Sequence, residues 1–154
     1  MIKEGDKAID FNMQIDENQF INLDSYNDKN IVLYFYPKDD TPGCTKEAID
    51  FTSFINDFAK LNTIVVGVSA DSIKKHKKFT EKHSLKVILA SDEDKTVCEN
   101  YGVWVEKSMY GKKFMGISRT TILIDKHRII RKIWNKVSVT GHVEEVLSTI
   151  KELN

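Results

Sequence analysis

Two stretches of the chain, Asn30–Tyr36 and Thr63–Val68, are almost continuously apolar. Runs of that length suit strands buried on both faces of a sheet. Upstream, Phe11–Ile15 and Gln19–Leu23 alternate apolar and polar positions around a polar turn, Asp16–Asn18, which predicts a β-hairpin. Between the two apolar runs the period changes. Ala48, Phe51, Ile55 and Phe58 recur at helical spacing within Pro42–Leu61, with Thr41 placed as an N-cap and Pro42 as the first helical residue. Ser72–His83 predicts a lysine-rich helix capped by Asp71 or Ser72, and Val87–Leu89 a short strand. Ser91 or Asp92 caps a short helix reaching Tyr101. Thr120–Asp125 and Ile129–Trp134 predict strands joined by the tight turn Asp125–Arg128. A closing helix starts at Thr140 or Gly141 and ends near Leu153. The segment 104–116, with Met109, Tyr110, Phe114 and Met115, reads as an apolar loop that covers a pocket, meets a partner or packs on the core.

The resulting order, β-β-β-α-β-α-β-α-β-β-α, places strand–helix–strand units first and a hairpin with a helix last. A mixed central sheet flanked by helices follows. The expected fold is α/β and thioredoxin-like with an N-terminal β-hairpin. A flavodoxin-like doubly wound sheet is the alternative, disfavoured by the late hairpin. At 154 residues, with no repeat or linker, the chain reads as a single domain, 1–154. The charged start Met1–Lys7 lacks the apolar stretch of a signal peptide. The longest apolar run, Ile31–Tyr36, is far short of the ~20 residues that span a bilayer. No membrane association and a cytoplasmic location are expected.

Composition narrows the chemistry. Basic residues (23) equal acidic ones (23), which argues against nucleic-acid binding through bulk charge. The two cysteines, Cys44 and Cys98, form neither a CxxC pair nor a zinc spacing with the four histidines. Pro37, Pro42 and Cys44 crowd into eight residues where a buried strand hands over to a helix. Ligands bind beyond the carboxyl ends of strands in such sheets. Counted from Thr41, Cys44 is the third helical residue, among amides without intrahelical partners. The helix dipole there favours an anion, so a thiolate nucleophile is expected. Cys44 shares a stripe with Ala48, Phe51 and Ile55, so it should face the core at the bottom of a small pocket. Burial opposes charge, and a cation is needed beside it. Arg119, one of three arginines, stands before a strand and is the candidate.

The same residues resemble a known family. Pro37-x-x-x-Thr41-x-x-Cys44 is similar to the peroxiredoxin signature, and Tyr34–Pro37 with Cys44–Ala48 resembles its bacterioferritin comigratory protein (PrxQ) group. Gly5–Phe11 (with Ile9 where a proline is usual), Gly67–Ser72, Tyr101–Trp104 with Glu106–Gly111, and Arg119–Asp125 resemble further family segments in the right order. The resemblance implies a thiol peroxidase without metal, haem or flavin. Its substrates would be hydrogen peroxide and organic hydroperoxides, its reductant thioredoxin or a similar thiol, and its state a monomer, with segment 104–116 leaving a weak dimer open. Cys44 is the implied peroxidatic nucleophile. The Thr41 hydroxyl, the Gly43 and Cys44 amides and Arg119 are implied donors to the peroxide oxygens, Pro37 walls the pocket, and Glu47 orients Arg119 or is an exposed first-turn carboxylate.

One departure bears on mechanism. Many members of the group carry a resolving cysteine five residues after the first, and here the position is Ile49. A 1-Cys cycle resolved by an outside thiol is therefore expected. Cys98 is the rival resolver; otherwise it is an inert buried thiol. Rival activities are a thioredoxin-like disulfide oxidoreductase, disfavoured by the missing CxxC, and a cysteine redox sensor. Lys74–Lys78 reads as a solvated helix face, Asp39–Asp40 as a charged loop rather than a metal site, and His142 has no assigned role.

Overall fold

The computed structural model describes residues 1–153. Seven strands form one mixed sheet: β1 (Met13–Asp16), β2 (Gln19–Ile21), β3 (Asn30–Phe35), β4 (Thr63–Ser69), β5 (Ile88–Ser91), β8 (Thr120–Ile124) and β9 (Ile130–Trp134), in the order β2-β1-β5-β4-β3-β8-β9. β3, β4 and β5 run parallel, whereas β8 is antiparallel to β3 and to β9. This is the thioredoxin-like α/β arrangement with an N-terminal hairpin.

The central strands are apolar on both sides because both sides are covered. Ile31, Leu33 and Phe35 of β3 join one core cluster with Val66, Val68, Ile122 and Cys98. Val32, Tyr34 and Tyr36 join the other with Cys44, Phe51, Phe58 and Val146. Alternate residues of a strand point to opposite faces, so the two cysteines lie on opposite sides of the sheet. At the centre, Tyr34 stacks on Phe51 with ring centroids 4.6 Å apart. Its ring occupies the space over Gly67, where a Cβ would come within 2.6 Å of it.

Three expectations need correction. The helix expected over 42–61 is two, α1 (Pro42–Ser53) and α2 (Ile55–Lys60), separated at Phe54. The hydroxyls before the break bond elsewhere: Ser53 Oγ donates to the Ile49 carbonyl at 3.0 Å, and Thr52 Oγ1 accepts the Lys86 amide at 3.1 Å. Back-bonding of the Ser53 kind, to the carbonyl four residues earlier, bends a helix. The break lets Phe58 bury against Phe51, centroids 5.8 Å apart. The segment expected as a loop is a hairpin, β6 (Trp104–Met109) and β7 (Lys112–Ile117), forming a separate two-stranded sheet. Tyr110 and Gly111 both have positive φ (53° and 77°), as a two-residue hairpin turn requires. Its Met109, Tyr110, Phe114 and Met115 are exposed. The helix after β5, α4 (Thr96–Asn100), starts later than expected, and Asp92 takes the amides of Val97 and Cys98 on its carboxylate.

The helix α3 (Ile73–His83) is capped by Ser72, whose hydroxyl accepts the Lys75 amide at 3.2 Å. Helix α5 (His142–Leu153) closes the second core cluster through Val143, Val146, Leu147 and Ile150. No helix among the described residues is long and apolar enough to cross a membrane.

Candidate active site

β3 ends at Phe35, and α1 opens seven residues later beyond the carboxyl edge of the sheet. Thr41 is extended (φ −90°, ψ 154°) and its carbonyl accepts the Thr45 amide at 2.8 Å, so Cys44 is the third residue of the helix. Pro42 fits the first helical position because no intrahelical acceptor exists there for an amide hydrogen. Cys44 is free and 1% exposed, on the core side with Ala48 and Phe51.

β8 delivers the cation. The Arg119 Nη2 donates to Cys44 Sγ at 3.3 Å, and Nη1 donates to Glu47 Oε1 at 2.7 Å. One planar guanidinium thus bridges the thiol and a carboxylate one helical turn apart, a fork that lysine cannot reproduce. Gly43 makes the approach possible, since a Cβ there would stand 3.1 Å from Nη2. Glu47 is wholly buried, which rules out the exposed first-turn alternative.

Among the described residues, neither Glu47 Oε2 nor the Tyr34 hydroxyl has a hydrogen-bond partner. Burial pushes the Glu47 carboxyl up to about 7, against the pull of Arg119. The folded protein therefore holds this proton more tightly than the unfolded chain, whose carboxyl titrates near 4.5. The associated stability is complete below the unfolded value and is lost as pH rises through about 7. That swing amounts to about 3 kcal/mol. Glu47→Gln should flatten it, so the variant gains on the wild type in thermal melts between about pH 5 and about pH 8. Parallel stability curves would refute the buried, proton-holding carboxylate.

The Thr41 hydroxyl is not the donor expected from the sequence, nor does its side chain cap α1. Oγ1 gives its hydrogen to the Lys38 carbonyl at 2.8 Å. Its oxygen therefore offers lone pairs rather than a proton. Pro37 is half-buried directly after Tyr36.

Cys98 belongs elsewhere. It is fully buried in the other core cluster. Burial and the Asp92 carboxylate push its thiol well above the usual range.

Two residues were missed from sequence. Lys107 reaches towards the site from β6: burial, then the Arg119 charge, pulls its ammonium below the usual value, while Cys44 acts in the opposite sense. Its stem runs over Gly116, where a Cβ would lie 3.3 Å from Cδ. Reading 104–116 as a hairpin would have placed it. His142 is buried, with Nε2 2.8 Å from Thr121 Oγ1, and burial holds its ring at about 4, so it is neutral at physiological pH. Nothing in the pattern of the last helix marked it.

Asp39 also departs from expectation. It is buried, not a solvated loop charge, and pairs with His76 at 2.6 Å, whereas Asp40 does lie at the surface with Lys82 and His83. His76 interrupts the otherwise solvated lysine-rich face of α3.

A cysteine in the first turn of a helix, bridged by arginine on a thioredoxin-like sheet, defines a cysteine-dependent redox protein. The profile of the AhpC/TSA family matches residues 4–133, and the chain belongs to that family as a peroxiredoxin of the Bcp/PrxQ group. It is 46% identical to Peroxiredoxin Bcp of Bacillus subtilis over 153 residues, covering 99% of this chain and 98% of the relative. It is 37% identical to Peroxiredoxin Bcp of Escherichia coli K12 over 151 residues, covering 98% and 97%. Among solved structures, a cysteine-to-serine variant of Xylella fastidiosa PrxQ superposes with a TM-score of 0.93 at 36% identity, covering 99% of this chain and 97% of that one. The bacterioferritin comigratory protein of Xanthomonas campestris, described for its alkyl peroxide reduction activity, superposes with a TM-score of 0.89 at 37% identity, covering 93% and 90%. The chain is accordingly a thiol peroxidase that reduces peroxides.

Proposed function

We propose that the protein reduces hydrogen peroxide and organic hydroperoxides by a 1-Cys cycle centred on Cys44. The observation that carries this reading is the 3.3 Å contact from Arg119 Nη2 to the Cys44 sulfur at the start of α1. A guanidinium hydrogen bond is strongest when the sulfur is negative, and the thiolate is the attacking form. The thiolate attacks one peroxide oxygen, forming an S–O bond as the O–O bond breaks. The electron pair leaves on the distal oxygen, which takes up a proton and departs as water or alcohol, and Cys44 is left as sulfenic acid.

Charge moves from sulfur to oxygen in this step, so donors fixed beforehand act on the transition state. Arg119 and the first-turn amides of Gly43 and Cys44 supply them, while the Thr41 oxygen accepts a hydrogen bond from the hydroperoxide O–H, which stays bonded to its own oxygen. Pro37, which has no amide hydrogen, walls the site against water. Glu47 holds Arg119 in place. Organic hydroperoxides are included because alkyl peroxide reduction is the activity described for the Xanthomonas campestris protein.

Resolution needs an outside thiol, supplied by thioredoxin or a similar donor. The first thiol attacks the sulfenic sulfur and releases water. A second displaces Cys44 as thiolate, so two thiols become one disulfide for each peroxide reduced. Position 49 is isoleucine, and Cys98 lies across the sheet in a different core. A Cys44–Cys98 bond needs Cα atoms within about 7 Å, and the location of the two thiols in core clusters on opposite faces of the sheet supports resolution by an outside thiol. We take the working unit to be the monomer, in the cytoplasm.

Intact mass and free-thiol counts after one equivalent of peroxide test the cycle. The expected product is a gain of one oxygen on Cys44, trappable by a small thiol. Loss of two hydrogens with both thiols gone would replace this cycle by an internal disulfide.

A further inference from the structure

Beside the cysteine loop lies a buried polar cluster that the reaction as derived does not use. The Asp39 side chain receives the Tyr36 hydroxyl on Oδ1 at 2.6 Å and faces His76 Nδ1 through Oδ2 at 2.6 Å. The Asp39 amide donates to Asp71 Oδ2 at 2.8 Å, and the Ser69 hydroxyl donates to the same oxygen at 2.7 Å. His76 Nε2 faces the Ala90 carbonyl at 3.1 Å. A carbonyl only accepts, so Nε2 carries a hydrogen. The Nδ1–Oδ2 contact then contains one proton, whether as imidazolium with carboxylate or as imidazole with carboxylic acid. The bond persists in both forms.

Asp39, Asp71 and His76 also bring potential metal-ligand atoms within 4.8 Å of one another. The 2.6 Å spacing decides what the first pair shares. Two ligands on a zinc-sized ion, each about 2.1 Å from it, stand more than about 3 Å apart. A proton fits between Asp39 and His76, and an ion bound to both does not.

The cluster gathers four elements at one point: the end of β3, the end of β4, α3 and β5. What it holds is the five-residue connection from Tyr36 to Pro42. Asp40, next to the anchored Asp39, has φ 60°, a left-handed turn that aspartate adopts more readily than most residues and that leads the chain into α1. Immediately after comes the first turn of α1 with Gly43 and Cys44. Arg119 approaches from β8, on a different part of the sheet, so its contact with sulfur depends on where α1 begins.

We infer that Asp39, held by His76, is a positioning residue for the peroxidatic cysteine: the buried pair fixes the loop 37–41 against α3 and thereby registers Cys44 with Arg119. This rests on the peroxidase reading above. The pair touches neither sulfur nor peroxide and acts through the start of α1.

The test is a mutant cycle on the full chain, read by the second-order rate with hydrogen peroxide and by Cys44 alkylation with iodoacetamide. Asp39→Ala and His76→Phe should each slow the peroxide reaction by about tenfold to a hundredfold, the cost of misplacing a reacting group by ~1 Å. The double variant should be no slower than the worse single one, because the two residues act as a unit. His76→Asn, whose amide can donate from the place of Nδ1, should stay within about threefold of wild type. Asp40→Asn, which breaks only the surface pairs to Lys82 and His83, should change the rate by less than about twofold. Folding of every variant is checked by circular dichroism. If His76→Phe does not fold, Asp39→Ala and His76→Asn decide the matter. Asp39→Ala reacting within about twofold of wild type, additive losses in the cycle, or His76→Asn as slow as His76→Phe would each overturn the inference. A wild-type protein that consumes no peroxide overturns the peroxidase reading instead, and the alkylation rates still test the pair.

Discussion

Cys44→Ser is expected to lower peroxide consumption by more than about a thousandfold, the scale on which losing a covalent nucleophile acts. Serine keeps the shape of the site, and its hydroxyl can still accept from Arg119. It cannot form a useful anion near neutral pH or take up oxygen to become a sulfenic acid. The fold should be untouched, because the side chain shrinks by little at a position 1% exposed. The measurement is peroxide loss in the presence of excess dithiol, with Cys98→Ser alongside. The Cys98 variant should keep nearly full activity, since its thiol is buried on the other side of the sheet. Turnover surviving in Cys44→Ser would refute Cys44 as the nucleophile, and turnover vanishing in Cys98→Ser would make Cys98 part of the cycle.

Arg119→Met should slow the reaction with peroxide by about a hundredfold to a thousandfold, the loss seen when a preorganised donor is removed from a transition state. Methionine fills much of the space of the arginine stem and removes both hydrogen bonds, to Cys44 at 3.3 Å and Glu47 at 2.7 Å. A second consequence separates this from simple disruption. Glu47 loses its cation while remaining buried, so it should protonate more readily still, and the doubly substituted Arg119→Met/Glu47→Gln protein should be more stable than Arg119→Met alone. The rate with peroxide would remain low in both. Restored activity in the double variant would mean that Arg119 acts on the carboxylate rather than on the sulfur.

These two residues show how far the chain could be read. Cys44 was legible because a helix start is a local event: Thr41, Pro42 and Gly43 set it within four positions. Arg119 stood out by scarcity, although its 75-residue separation from Cys44 left the contact a matter for the fold. The central strands were legible because burial on two faces leaves a plain apolar run. The break at Phe54 was not, because it depends on where Phe58 finds room beneath Phe51. Nor was the hairpin β6–β7, whose exposed Met109, Phe114 and Met115 blur the alternation that marks a strand.

Asp39 and His76 mark the boundary most clearly. By pattern one sits in a charged loop and the other in a run of lysines, and both look solvated. The structure buries them against each other because α3 packs on β5 beside the loop that follows β3, and polar groups so enclosed must find partners among themselves, the Tyr36 hydroxyl and the Ala90 carbonyl. By itself the sequence determined the local pieces: a cysteine in the first turn of a helix, the strands beneath and the isoleucine at position 49. Only the tertiary structure decided that Arg119 bridges Cys44 to a buried Glu47, that Cys98 is walled off, and that a proton-sharing pair lies under the cysteine loop. Propensity and spacing act over a few residues, whereas burial and charge pairing depend on which distant segments the packed sheet brings together.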